Sequence, residues 1–246
     1  MPLLGVHQQR FYEFWIGNSM LVKYKFVVNN ILSPEGKVSI HLGNSEVSNS
    51  LLSYFNSRSW KRGFIKLKKF NISLLPITDF LKEEEYLSSV NGKNSAAYFS
   101  RRCTKMGYTV RSFNPNNQIE EIFTINTSST ERQGRVMDKN YQIKVNEWPT
   151  DEENQWFGIF SEEGKLVAYV WTYIAGEMVL INRILGHADF LKDNIMYLLM
   201  TKVVAAFVQS DEINYLMYDT FGKVENGLVL FKKRIGFKPY TVNFER

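Results

Sequence analysis

The sequence predicts a mixed α/β fold, and three observations carry that expectation. Short apolar segments with the two-residue alternation of half-buried strands recur along the chain. Longer segments with apolar residues three or four apart are interspersed among them. The composition is 44% hydrophobic, with 18 Phe, 13 Tyr and 5 Trp, so a sizeable core can be buried and a folded rather than disordered chain is expected. At 246 residues the chain suits one large or two small domains.

The elements follow in order. Residues 21–28 (LVKYKFVV) and 37–42 (KVSIHL) alternate as strands, joined through the turn residues Ser33-Pro34-Glu35-Gly36. Residues 46–55 read as a short helix, and 64–67 and 70–75 as two more strands. The pattern then turns helical. Residues 77–90 start with Thr78 and Asp79, either of which can cap a helix. Residues 94–106 place Ala96, Phe99, Cys103 and Met106 on one stripe, with Arg101, Arg102 and Lys105 away from it and Gly107 as terminator. A strand at 108–113 and a helix at 116–126 come next. Residues 127–154 are polar and poorly periodic, and an irregular stretch of that length in a compact domain is usually functional or mobile.

The last hundred residues are the most regular. Strands at 156–160, 166–174 and 178–184 are separated by the turns Ser161-Glu162-Glu163-Gly164 and Ala175-Gly176-Glu177. A helix at 190–209 follows, then a strand at 213–218, a helix at 225–235 and a strand at 238–244. The order is β-β-β-α-β-α-β. Three strands joined by tight turns form an antiparallel meander. The strand-helix-strand unit after them is parallel with a right-handed crossover. The expected division is an N-terminal α/β region over 1–92 and a second domain over 93–246.

This order resembles the GNAT acyltransferase superfamily. The closing Leu230-Phe231-Lys232-Lys233-Arg234-Ile235-Gly236-Phe237-Lys238-Pro239 resembles that superfamily's terminal helix and strand, where an aromatic and basic helix ends in Gly-Phe. The length and the upstream region also resemble the Fem-type aminoacyl transferases, which carry two GNAT-like halves. On that resemblance residues 1–92 belong to a second half. The GNAT resemblance implies an N-acyltransferase moving an acyl group from acetyl-CoA or another acyl-CoA to an amine on an amino sugar, a nucleotide sugar or a peptide. The Fem-type branch implies an aminoacyl-tRNA donor. A catalytically silent GNAT-like binding protein is the third possibility.

GNAT enzymes that use acetyl-CoA carry a Gln/Arg-x-x-Gly-x-Gly/Ala loop whose backbone N–H groups hold the pyrophosphate. Arg183, Gly186 and Ala188 match it in letters and are the expected cofactor-binding residues. Asp189, which follows, departs from it: a carboxylate there is a normal helix cap and repels phosphate.

Ligands of open α/β sheets collect beyond the carboxyl ends of parallel strands. Two such ends are readable, at residues 185–189 and 218–222. His187 is the expected general base by residue type, and Asp219 is an alternative base or the group that orients it. Each also has a plain reading, His187 as a loop residue and Asp219 as the start of a turn. In Glu131-Arg132-Gln133-Gly134-Arg135, two arginines flank a Gln-Gly pair. Arg132, Gln133 and Arg135, with Tyr141, are the expected substrate-binding residues for a phosphate or carboxylate; a solvated turn is the other reading.

The remaining features exclude more than they assign. The formal net charge of +5 is spread along the chain. The basic face Arg101, Arg102 and Lys105 can meet a nucleotide or tRNA, or simply face water. Trp60-Lys61-Arg62-Gly63-Phe64 is too short to indicate nucleic-acid binding. Lys232, Lys233 and Arg234 are accounted for as cations near a helix C-terminus. The single Cys103 allows no intrachain disulfide, fits a reducing cytoplasm, and with three scattered His gives no metal pattern. Its basic neighbours can lower its pKa; a buried structural thiol is the alternative. No signal peptide or membrane-inserting segment is read, so a cytoplasmic protein is expected.

Overall fold

One mixed sheet of eight strands organises the computed structural model, which describes residues 34–56, 69–132, 135–221 and 226–246. In chain order the elements are β1 (Gly36–His41), α1 (Glu46–Asn56), β2 (Ile72–Pro76), α2 (Glu83–Ser89), α3 (Ala96–Lys105), β3 (Thr109–Ser112) and α4 (Ile119–Thr127). They continue as β4 (Glu131–Arg132), β5 (Arg135–Val136), β6 (Asn154–Phe160), β7 (Leu166–Ala175), β8 (Met178–Gly186), α5 (Ile195–Val208), β9 (Tyr215–Thr220), α6 (Asn226–Ile235) and β10 (Lys238–Glu245). The expected strands at 21–28 and 64–67 lie outside the described residues.

The sheet order is β1-β10-β2-β9-β8-β7-β6-β3, with β4 and β5 forming a separate hairpin. β6, β7 and β8 are the expected antiparallel meander. β9 is parallel to β8 after the α5 crossover. The expected division at 92/93 does not divide the sheet. β2, from the first third of the chain, lies between β9 and β10 and is antiparallel to both, while β1 adds parallel to β10 on the edge.

Alternation along β8 shows how the two faces are filled. Val179 and Ile181 point into a core shared with α5, while Met178 and Leu180 point into one shared with β1, α1 and β10. A third cluster joins Leu185 to Ile122 and Ile125 of α4 and to Tyr141, Trp148, Trp156, Tyr169 and Trp171. α5 is apolar nearly all round and correspondingly buried, from Ile195 to Val208. Its Lys202 escapes to the surface and pairs with Glu83 at 2.7 Å.

Three helices are shorter than their periodicity predicts. The segment at 77–90 becomes helical only at Glu83, because Ile77 N–H is committed to Asn214 O in the sheet. The segment at 116–126 opens with a 3-10 turn, Pro115–Asn117, under an Asn114 side-chain cap, before α4 begins. The segment at 190–209 begins as a 3-10 turn, Ala188–Asp193, and breaks at Asn194, whose φ is 65°, before α5. The polar stretch after α4 folds as the β4–β5 hairpin and a 3-10 turn, Lys139–Tyr141.

Candidate functional site

The parallel pair β8 and β9 is joined over only three positions, Met178↔Tyr215, Val179↔Leu216 and Leu180↔Met217. Beyond them each strand follows its outer neighbour. β8 stays with β7 as far as Gly186↔Ala168, and β9 stays with β2 as far as Thr220↔Ile72. The cause is local. β8 carries an extra residue, Asn182, opposite the Trp171/Thr172 step, and β9 carries one more residue than β2 between Met217 and Thr220. A bulge bends its strand. Two bulges, one on each side of the last shared pair, turn β8 and β9 apart.

A meander, a crossover helix and a parallel strand pair are the architecture the sequence resemblance implies, and here that pair parts toward its carboxyl ends. FemX superposes with a TM-score of 0.54 at 11% identity, over 69% of this chain and 59% of FemX. The fold is GNAT-like. L-PGS from Bacillus licheniformis (TM-score 0.44, 14% identity, 68% of this chain and 57% of that chain) is also similar. So is a GCN5-related N-acetyltransferase from Kribbella flavida (0.43, 12%, 69% and 53%). This chain therefore spans less than two thirds of the length of each of these proteins. No family model and no curated protein matches the sequence.

The GNAT-like loop after β8 is satisfied by the protein itself. His187 N–H bonds Val167 O at 2.8 Å, Ala188 N–H bonds the Ser128 hydroxyl at 3.0 Å, and Phe190 N–H bonds His187 O at 3.1 Å. Asp189 N–H is turned toward His187 Nδ1 at 3.4 Å. Gly186 is a packing requirement: a Cβ there would lie 2.7 Å from Met196 Sδ and 2.9 Å from Leu191 Cδ2. The backbone donors that a pyrophosphate needs are engaged, and the exposed Asp189 stands beside them. His187 caps the 3-10 turn and sets its ring edge-on to Phe190.

Asp219 lies in the β9 bulge with φ 52°, a left-handed conformation that costs a non-glycine residue roughly 1–2 kcal/mol. Strain of this kind concentrates at functional sites. Burial, and then the Asp219 charge, push the Tyr54 hydroxyl of α1 well above the usual phenol range. No hydrogen bond or ion pair joins His187 to Asp219.

Sequence reasoning missed Lys232. The helix dipole accounts for a cation at its position, yet it is wholly buried, and its Nζ donates to Tyr218 O at 2.6 Å and Thr220 O at 2.8 Å. Those carbonyls flank Asp219 and lie beyond the stretch of β9 that pairs with β8. Its ammonium also sits 4.5 Å from the centroid of the Tyr218 ring. The signal was present. Leu228, Phe231, Lys232 and Ile235 fall at i, i+3, i+4 and i+7, so Lys232 occupies the inward stripe of α6.

Arg132, Tyr141, Arg183 and Gly186 come together on the opposite face of the sheet from α5. Arg132 Nη1 donates to Gly186 O at 2.7 Å, and its Nη2 to Ile125 O at 2.9 Å and the Ser128 hydroxyl at 3.0 Å. The Arg183 guanidinium lies 4.5 Å over the Tyr141 ring and 5.2 Å from the centroid of Trp148, and its charge partly offsets the upward push that burial gives the Tyr169 hydroxyl. Burial lowers the Arg132 pKa. Arg135 pairs with Arg132 through the β4–β5 backbone, and Gln133 lies outside the described residues. Cys103 is a buried thiol bonded to Asp193 O at 3.0 Å. Burial, and then Asp193, push it up to about 11, the reverse of the activation its basic neighbours suggest.

Proposed function

We propose that this chain is an N-acyltransferase that seats its acyl donor in the opening between β8 and β9. The parting of those two strands after Leu180 and Met217 carries the reading. An opening of this kind exposes unpaired strand edges that can bind an extended donor arm by main-chain hydrogen bonds. Transfer then needs an amine held against the acyl carbon, a group to take its proton, and a positive field for the tetrahedral oxyanion. Lys232 supplies that field from the end of the opening, preorganised by its two carbonyl contacts. Asp219, poised in a strained bulge between those carbonyls, is the nearer acid–base candidate in the fold; His187 is the other.

The donor we favour is an aminoacyl ester on tRNA rather than an acyl-CoA. Arg183, Gly186 and Ala188 match a coenzyme A loop in letters, but the N–H groups at 187, 188 and 190 are already bonded within the protein. The acceptor is an amine of an amino sugar, a nucleotide sugar or a peptide, and such substrates suit a cytoplasmic enzyme. The test is transfer of a radiolabelled amino acid from charged tRNA to a panel of such amines, beside thermal shift with acetyl-CoA. A coenzyme at a hundred times its Kd raises stability by about 2.7 kcal/mol. Labelled amide without a coenzyme shift supports the proposal. A coenzyme shift with acetyl transfer replaces the donor, and no transfer from either donor rejects the reading.

A further inference from the structure

We propose that Arg132 and Arg183 form a carboxylate-binding site on the sheet face opposite α5, and that it holds the carboxylate of the acceptor. The assignment of that carboxylate to an acceptor rests on the transferase reading; the site itself does not.

Among the described residues, two partly buried guanidiniums stand here without a counter-ion. Neither has an Asp or Glu oxygen of a described residue within 4.0 Å, and the partners of Arg132 there are neutral oxygens. Removing a cation from water without an anion is costly, so the arrangement stores a favourable interaction for a negative ligand. Both cations act on the same two phenols, Tyr141 and Tyr169.

Orphaned donors point the same way. Arg132 Nε, Arg183 Nη1 and Trp148 Nε1 are buried and have no hydrogen-bond partner among the described residues. Trp148 is only 6% exposed, and its ring adjoins Arg183. An indole N–H and a guanidinium N–H are donors only, so nothing but an acceptor can satisfy them. A purely structural role explains the three bonds that tie Arg132 to α4 and β8. It does not explain three idle donors in one aromatic cluster.

The chemistry favours a carboxylate over a phosphate. The Tyr141 and Trp148 rings lie 4.5 and 5.2 Å from the Arg183 guanidinium, an aromatic setting that suits a planar monoanion received by the guanidinium fork. A phosphate dianion costs more to desolvate and has more oxygens than these donors can meet. Arg183 belongs to the run of β8 that has left β9, and Arg132 is anchored on Gly186 at its end. An acceptor held there by its carboxylate is presented at the mouth of the opening.

The test is a titration of tryptophan fluorescence with sodium acetate, and separately with inorganic phosphate, at fixed ionic strength with chloride alone as control. Trp156 and Trp171, stacked at 5.0 Å beside Trp148, report the site. Acetate is expected to give a saturable change, at least about tenfold weaker in Arg183→Gln, as loss of a charge-assisted bond requires. Trp148→Phe guards against a folding defect in that variant. It keeps an aromatic ring in place and removes an N–H that has no partner among the described residues, so acetate affinity falls while the fold, read as a native far-UV circular dichroism spectrum and a cooperative melt, persists despite some loss of packing. No saturation with acetate, saturation with phosphate alone, or unchanged acetate affinity in Trp148→Phe and a folded Arg183→Gln overturns the proposal. Because no donor is present, acetate binding without transfer activity counts against the transferase reading alone, and transfer without acetate binding counts against this one alone.

Discussion

Lys232→Met isolates the role of the buried ammonium. Methionine keeps the length and the apolar stem and removes the charge together with its bonds of 2.6 Å to Tyr218 O and 2.8 Å to Thr220 O. A hydrogen bond to a charged group contributes roughly 1.5–3 kcal/mol, so the pair is worth about 3–6 kcal/mol before offsets. Losing a buried charge returns part of this, since desolvating an ion costs several kcal/mol. The net destabilisation expected is about 1–3 kcal/mol, which in a chain of this size lowers Tm by roughly 2–12 °C. Total stability of about 5–15 kcal/mol leaves the variant folded. Thermal and urea melts followed by circular dichroism check the number, and an unchanged m-value shows that the fold persists. Transfer activity should fall further than stability explains, because the oxyanion loses its cation. A Tm equal to or above that of the wild type would refute the reasoning that Lys232 holds the parted end of β9 together.

Other perturbations separate strain, packing and protonation. Asp219→Gly removes a left-handed non-glycine residue and should raise stability by up to about 1 kcal/mol while abolishing transfer; lost stability in the melt counts against stored strain. Gly186→Ala drives a methyl against Met196 and Leu191 and should cost about 1–3 kcal/mol, read as a lower urea midpoint. Cys103 should resist alkylation at pH 8, its rate rising toward about pH 11. The sign for stability follows: the unfolded thiol loses its proton near pH 9 while the folded one retains it, so the Cys103 contribution declines between those values. Cys103→Ala should flatten that decline in melts taken from pH 8 to 11.

The last hundred residues were the most legible because local periodicity and tight turns set most elements there: β6, β7, β8, β9, α6 and β10 fall where alternation and helical spacing put them, while α5 starts only after the break at Asn194. The place of β2 was not, since a strand carries no mark of which distant edges it will join. The engaged loop was equally hidden, because the hydroxyl that takes Ala188 N–H comes from Ser128, sixty positions earlier. Arg132 and Tyr141 stood out as polar and aromatic residues in an irregular stretch, but their convergence on Arg183 depends on α4 folding across the sheet. Lys232 was readable, and was passed over because a lysine near a helix end already has an explanation in the helix dipole.

The wedging of β2 between β9 and β10 ties the two ends of the chain into one structural unit. A fragment starting after α2 would keep β9 and β10 but leave each with a bare edge of N–H and C=O groups, an invitation to aggregate. During synthesis β1 and β2 wait for β10, about 160 positions after β2, before they gain that neighbour, and such long-range pairing folds slowly. Anyone excising the GNAT-like portion by sequence likeness alone would therefore cut through the sheet that shapes its opening.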